Sequence, residues 1–188
     1  MEHAGRLIVI SGCMFSGKTT RLIQLLVESV QQGRRVMAYK HRLDARYDRV
    51  GLRTHDGMEF DAEPVADAAE IAGRIGSAEV VGIDEAQFFG RPLAGICDNL
   101  RSVGRTVIVA GIDHDAWGQD FPPLPQLQEL ADHVEHLHVP CTECGCPAVY
   151  TQRIVPVTNT DMVGGPNEYR PRCAAHFVPL PDPAPIYP

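Results

Sequence analysis

The 188-residue sequence predicts a parallel α/β fold, and three observations carry that prediction. Runs rich in Val and Ile at 7–11, 80–83 and 106–111 are almost wholly apolar, as strands covered on both faces must be. The segments between them carry apolar residues at helical spacing, so strand and helix alternate. Between the first strand and the first helix lies Gly-Cys-Met-Phe-Ser-Gly-Lys-Thr at 12–19, which fits G-x-x-x-x-G-K-[ST], the phosphate-binding loop.

The first strand–loop–helix unit is the arrangement that motif requires. Gly12 and Gly17 allow backbone angles closed to a residue with a Cβ, so the amides of Cys13, Met14, Phe15 and Ser16 can turn toward a polyphosphate. Lys18 brings a compact positive charge to the outer phosphates, and the Thr19 hydroxyl is placed to ligate Mg²⁺. In the helix that follows, Leu22, Ile23, Leu26, Val27 and Val30 form one apolar face, and Gly33 stands at the C-cap. The helix N-terminus adds its dipole to the same anion. Nucleotide binding is the implied chemistry.

A second strand is expected at 35–39. It leads into a charged stretch, 40–48, at the ligand end of the sheet, although charge alone fits a solvated connection equally well. Thr54, His55, Asp56 and Gly57 read as a turn, and 66–76 as a helix closed by Gly76. After the strand at 80–83 come Asp84 and Glu85. The first acid suits the Mg²⁺ shell, and the second points toward the attacking group. Phe88 and Phe89 follow; pocket wall and core packing are the two readings of such a pair. A helix over 93–103 ends at Gly104, and the strand at 106–111 exits into a proline-stiffened loop with Ala116 and the single tryptophan, Trp117. A short helix near 127–131 and a last core strand at 134–139 complete a nucleotide-binding domain over 1–139. No internal repeat is visible.

The composition changes at Pro140. Cys141-x-x-Cys144 and Cys173-x-x-His176 form two metal half-sites, a pairing typical of structural zinc. Cys146 lies too near Cys144 to ligate without straining the turn. A zinc-binding module is therefore expected over 140–178, with 148–154 strand-like and 156–166 a polar, lid-like loop. Five prolines make 179–188 a loose tail. Six unevenly spaced cysteines suit a metal site in a reducing cytoplasm better than a disulfide framework. The net charge of −7 argues against nucleic-acid or anionic-membrane binding. No apolar run approaches a membrane span, and the start of the chain leaves no room for a signal peptide.

These motifs together resemble the type II (cellular, zinc-containing) thymidine kinases over about residues 6–178. The marks are 12–19, Asp44-Ala-Arg-Tyr, Thr54-His-Asp-Gly, Gly82-Ile-Asp-Glu-Ala-Gln-Phe-Phe, the zinc ligands, Tyr150-Thr-Gln-Arg and Val163-Gly-Gly. The resemblance implies a RecA-like phosphate-loop core under a zinc-bound lasso. It also implies transfer of the ATP γ-phosphate to the 5′-hydroxyl of thymidine or deoxyuridine. Glu85 then matches the catalytic base and Asp84 the magnesium-associated acid, while Asp44, Arg46 and Gln87 fall among the phosphate-binding residues. Met14 and Phe88 match the nucleoside pocket, and Thr151 and Tyr169 match lasso contacts. Thr160, Asp161, Met162, Val163 and Gly164 match the segment that reads the base. A homotetramer is implied as well. One departure stands out, since Ala116 occupies the place of a pocket phenylalanine and Trp117 follows it. Either Trp117 swings in to replace the ring against the nucleoside, or the pocket is enlarged and Trp117 rests at the surface or a subunit contact.

Two rival classes are weaker. A GTPase-type switch needs Asn-Lys-x-Asp, which is absent here. A non-enzymatic nucleotide-binding scaffold whose zinc ribbon contacts nucleic acid sits poorly with the acidic charge and with Glu85.

Overall fold

A computed structural model describes residues 4–44, 51–53, 57–157 and 164–181, with only the backbone of Arg53. The strands are β1 (Arg6–Ser11), β2 (Val36–His41), β3 (Leu52–Arg53), β4 (Glu59–Phe60), β5 (Glu63–Val65), β6 (Val80–Ile83), β7 (Thr106–Gly111), β8 (His133–His136), β9 (Val139–Pro140), β10 (Pro147–Ala148), β11 (Tyr150–Arg153) and β12 (Tyr169–Arg172). The helices are α1 (Lys18–Gln31), α2 (Ala68–Arg74), α3 (Pro92–Ser102) and α4 (Leu124–Leu130). Among the described residues the main sheet has six strands in the order β5-β2-β6-β7-β1-β8, and every pairing in it is parallel.

Alternation along the central strands sorts the core onto two faces. Leu7 and Val9 of β1, with Val107 and Val109 of β7, face Ile71, Leu93, Leu124 and Leu127. Ile10, Ile108 and Ala110 face Leu22, Ile23 and Leu26 of α1. Leu7, Leu22, Leu26 and Leu93 are fully buried, and truncating a leucine in such a setting costs about 2–5 kcal/mol. Val30, assigned to the apolar face of α1, is instead 50% exposed. Ser29 is buried there, its hydroxyl donating to Leu25 O at 2.8 Å. The helix ends with Gly33 at φ 77, its amide donating to Val30 O at 2.9 Å.

Several boundaries differ from expectation for physical reasons. The strand expected at 134–139 stops at His136, because β8 is a partly exposed edge with only β1 as neighbour. Val139 and Pro140 leave it to pair antiparallel with β10. The anticipated 54–57 turn lies mostly outside the described residues, yet its flanks β3 and β4 pair antiparallel. Among the described residues no helix is long and apolar enough to cross a membrane.

β6, β7 and β1 are adjacent and parallel. Their carboxyl ends therefore bring 12–18, 84–89 and 112–121 to one edge of the sheet, where open α/β sheets bind ligands. The β11–β12 hairpin borders this edge through Thr151, whose hydroxyl accepts the Met14 amide at 2.9 Å.

Candidate active site and metal centre

The loop after β1 closes around its own backbone. Gly12 has φ 146, and a Cβ there would stand 2.3 Å from Leu137 O, so only glycine fits. Phe15 at φ 68 and Gly17 at φ 86 alternate hand along the loop, the geometry that turns successive amides to one side. The Ser16 hydroxyl is buried without a protein partner. Lys18 opens α1, and its ammonium donates to Cys13 O at 2.7 Å. Removal from water pushes the Lys18 pKa down, while the charges of Glu85, Cys13, Asp84 and Asp113 work to raise it. Burial raises the Cys13 thiol, against the pull of Lys18.

The two acids after β6 lie against this loop. Thr19 Oγ1 donates to Asp84 Oδ2 at 2.9 Å, and Asp84 Oδ1 accepts the Glu85 amide at 3.0 Å. A hydroxyl and a carboxylate held together in this way, beside a lysine, are suited to a hard divalent cation on a polyphosphate. Glu85 has a left-handed backbone, φ 53 and ψ 48, which is costly for a residue with a Cβ and occurs where a side chain must be aimed. Its Oε2 accepts from the Gln87 amide nitrogen, and Gln87 Oε1 accepts from Ile112 N at 3.2 Å. Gln87, grouped with the phosphate ligands from sequence, thus ties Glu85 to the exit of β7.

Beside the loop, Met14, Ala116 and Tyr169 form a buried apolar cluster, with Phe15, Ile112, Trp117 and Leu180 packed against it. The Tyr169 hydroxyl accepts from Arg153 Nη1 at 2.8 Å. Gly164 lies against this ring, since a Cβ there would be 2.9 Å from Tyr169 Cε2. Phe89 joins the core, whereas Phe88 is half-buried 5.9 Å from the His41 ring. Asp44 is buried just past β2, its amide donating to His41 O at 3.0 Å. Arg46, Thr160, Asp161, Met162 and Val163 lie outside the described residues. Leu180 is the contributor that sequence reasoning missed. Its segment carries no periodicity, and only docking onto the 112–118 loop reveals it.

The metal half-sites meet. The ligand atoms of Cys141, Cys144, Cys173 and His176 all lie within 4.8 Å of one another. Cys144 Sγ is 3.6 Å from Cys173 Sγ, and His176 Nδ1 is 3.4 Å from Cys173 Sγ and 4.0 Å from Cys141 Sγ. A tetrahedron with zinc–sulfur and zinc–nitrogen bonds of ordinary length has edges of about 3.6–3.8 Å, so the donor set fits zinc. Burial works to raise the Cys141 thiol, but amides of Cys173, Glu143 and Cys144 outweigh it and bring it down to about 6. Cys146 stays outside the cluster; its carbonyl accepts the Cys141 amide at 2.7 Å and its side chain is exposed. Cys13 of the phosphate loop packs with Cys141, Ala148 and Cys173, so the metal cluster abuts the loop.

Comparison with known proteins places the chain among others. The sequence profile of the family described as "Thymidine kinase" matches residues 5–177. The chain is 40% identical over 182 residues to a thymidine kinase of Rhodothermus sp. (strain ITI 518), covering 95% of this chain and 85% of that one. It is 44% identical over 178 residues to a thymidine kinase of Coprothermobacter proteolyticus, covering 92% and 90%. In fold it is similar to the flagellar accessory protein FlaH from Methanocaldococcus jannaschii, with a TM-score of 0.50 at 12% identity over 85% of this chain and 76% of that one.

Proposed function

Because the chain belongs to the thymidine kinase family, we propose that it transfers the γ-phosphoryl group of ATP to the 5′-hydroxyl of thymidine, giving dTMP and ADP as in nucleotide salvage. Deoxyuridine is the alternative acceptor. The observation that carries this reading is the meeting of Lys18, the Thr19–Asp84 pair and Glu85 at one sheet edge.

The loop amides over 12–18 and the Lys18 ammonium bind and neutralise the phosphates, which positions the γ-phosphorus and stabilises the charge on its equatorial oxygens. Lys18 exchanges its contact with Cys13 O for phosphate oxygen. Thr19 and Asp84 would hold Mg²⁺, which when bound would offset the negative charge of the phosphates. Glu85 accepts the proton of the 5′-hydroxyl as its oxygen bonds to phosphorus and the bond to the ADP oxygen breaks. Gln87 holds Glu85 by one carboxylate oxygen and so acts as a positioning residue. Asp44 and Arg46 belong near the phosphates. Met14, Phe88, Ala116, Trp117, Thr151 and Tyr169, with 160–164, belong on the nucleoside side.

Residues 140–178 form a lasso closed by structural zinc on Cys141, Cys144, Cys173 and His176, beside a catalytic core over 1–139. Six cysteines, none of them in a disulfide, support a reducing, cytoplasmic setting. A homotetramer without nucleic-acid or membrane partners completes the reading. Ala116 favours a second reading, an enzyme of the same chemistry with altered nucleoside preference. A coupled ADP-release assay across thymidine, deoxyuridine and guanosine tests both. Thymidine-dependent release is expected; release that no acceptor stimulates would refute the phosphotransfer.

A further inference from the structure

The matched family region ends at residue 177, and the residues there and just beyond fold back over the apolar cluster. Phe177 stacks on Tyr150, with ring centroids 4.4 Å apart and an interplanar angle of 13°. Gly118, at φ 79, lies so close that a Cβ would stand 2.8 Å from Phe177 Cε1. The Val178 amide donates to Gln152 Oε1 at 3.0 Å. The Leu180 amide donates to Ala116 O at 3.0 Å, and Trp117 Nε1 donates to Pro181 O at 3.1 Å. The segment expected to be loose is therefore fastened, as far as residue 181, to the β7 exit loop and to β11.

We propose that Leu180 is a specificity-determining wall of the nucleoside pocket, closing the side that Ala116 leaves open. The proposal rests on the phosphotransfer reading above. A nucleoside is short, so one whose 5′-hydroxyl reaches Glu85 needs an apolar surface near the site to receive its base. The surface beside that loop is the cluster of Met14, Ala116 and Tyr169, and Leu180 packs on it. Ala116 presents only a methyl group, and an unfilled gap beside a substrate forfeits dispersion contacts. The bond from the Leu180 amide to Ala116 O holds the chain beside that residue, and the isobutyl group packs on the cluster to which Ala116 belongs. Pro179 and Pro181 flank Leu180, so little chain entropy is lost in holding it there. The hydrogen bond to Pro181 brings Trp117 into the same strap, where its indole reports on the contact.

The test compares the full chain with Leu180→Ala and with a chain ending at Phe177. KM for thymidine should rise roughly tenfold in both, the scale for lost apolar contact in a substrate pocket, with KM for ATP unchanged. Ala116→Phe placed in the Leu180→Ala background should restore KM for thymidine, which a merely structural role would not do. Thymidine should change the Trp117 emission of the full chain, and this response should weaken in the shortened one. Thermal melts should show both variants folded. Unaltered KM for thymidine in both variants overturns the proposal. So does a lowered KM, which would make the strap an obstruction. Failure of the full chain to release ADP with thymidine would instead refute the phosphotransfer reading, and the wall with it.

Discussion

The segments that follow β1 and β6 carry Lys18, Asp84 and Glu85 above central strands packed against helices on both faces, whereas β9 to β12 are short and converge on three thiols and an imidazole. The first region is held by apolar packing spread over many residues, so a functional side chain there can be removed without loss of the fold. Among its described residues the second buries little beyond Cys141, Ala148, Thr151, Arg153, Tyr169, Pro171 and Cys173, so its order depends on a few bonds. The two meet where Met14 N donates to Thr151 Oγ1 and where Cys13 packs on the metal cluster. Damage to either region is expected to read out differently.

The largest effect should come from Lys18→Ala. Loss of this charge at the phosphates should lower kcat by roughly 10³-fold or more, while the melting temperature stays near that of the parent. Near-parental turnover in a folded variant would break the assignment of the first region. Glu85→Gln keeps the shape but not the basicity, and kcat should fall roughly 10²–10⁴-fold with thymidine and ATP binding retained. If only KM changes, the proton acceptor lies elsewhere.

The second region is tested by its metal. The protein should contain about one zinc per chain, and Cys173→Ser should lose it. Because the binding energy of structural zinc is folding energy for the segment it closes, amide exchange should then accelerate over 139–177 and stay slow in β1, β6 and β7. Full zinc content in Cys173→Ser, or equal acceleration in both regions, would contradict the comparison.

Gln87→Ala should act more mildly and through Glu85. A drop in kcat of about tenfold, within the range for a lost hydrogen bond to a charged group, should come with a displaced pH–rate profile and no change in KM for ATP. A rise in KM for ATP with an unmoved profile would return Gln87 to the phosphates.

The smallest effect concerns His41. Its ring is buried, Nε2 donates to Ala66 O at 2.7 Å, and Nδ1 accepts the Leu43 amide at 3.1 Å. Burial therefore lowers its pKa from 6.5; the Ala66 carbonyl and Asp67 oppose that shift, and Arg42 adds to it. The unfolded chain takes up this proton at higher pH than the native one. The contribution is thus intact above pH 6.5 and declines as pH falls through 6.5 toward the folded value. Denaturant melts across this range should show a gentler acid slope for His41→Gln than for the parent; equal slopes would exclude His41 as the source.

What the sequence determined by itself is local. The phosphate loop depends on glycines and a lysine at fixed spacing, the acids follow directly on the apolar run of β6, and each metal half-site spans four residues. Backbone geometry over so short a distance leaves each motif few ways to fold. Tertiary structure decided everything that depends on a distant partner. β5 is a strand because Glu63, Pro64 and Val65 pair with Tyr39, Lys40 and His41, not because of their own propensities. Gln87 holds Glu85 because β6 and β7 lie side by side, which puts Ile112 within its reach. Trp117 and Pro181 are hydrogen-bonded although they stand 64 positions apart, because the β11–β12 hairpin returns the chain to the β7 exit loop. Contacts of that range leave no period or spacing in the sequence, since the energy that selects them is released only when the sheet and the hairpin are both in place.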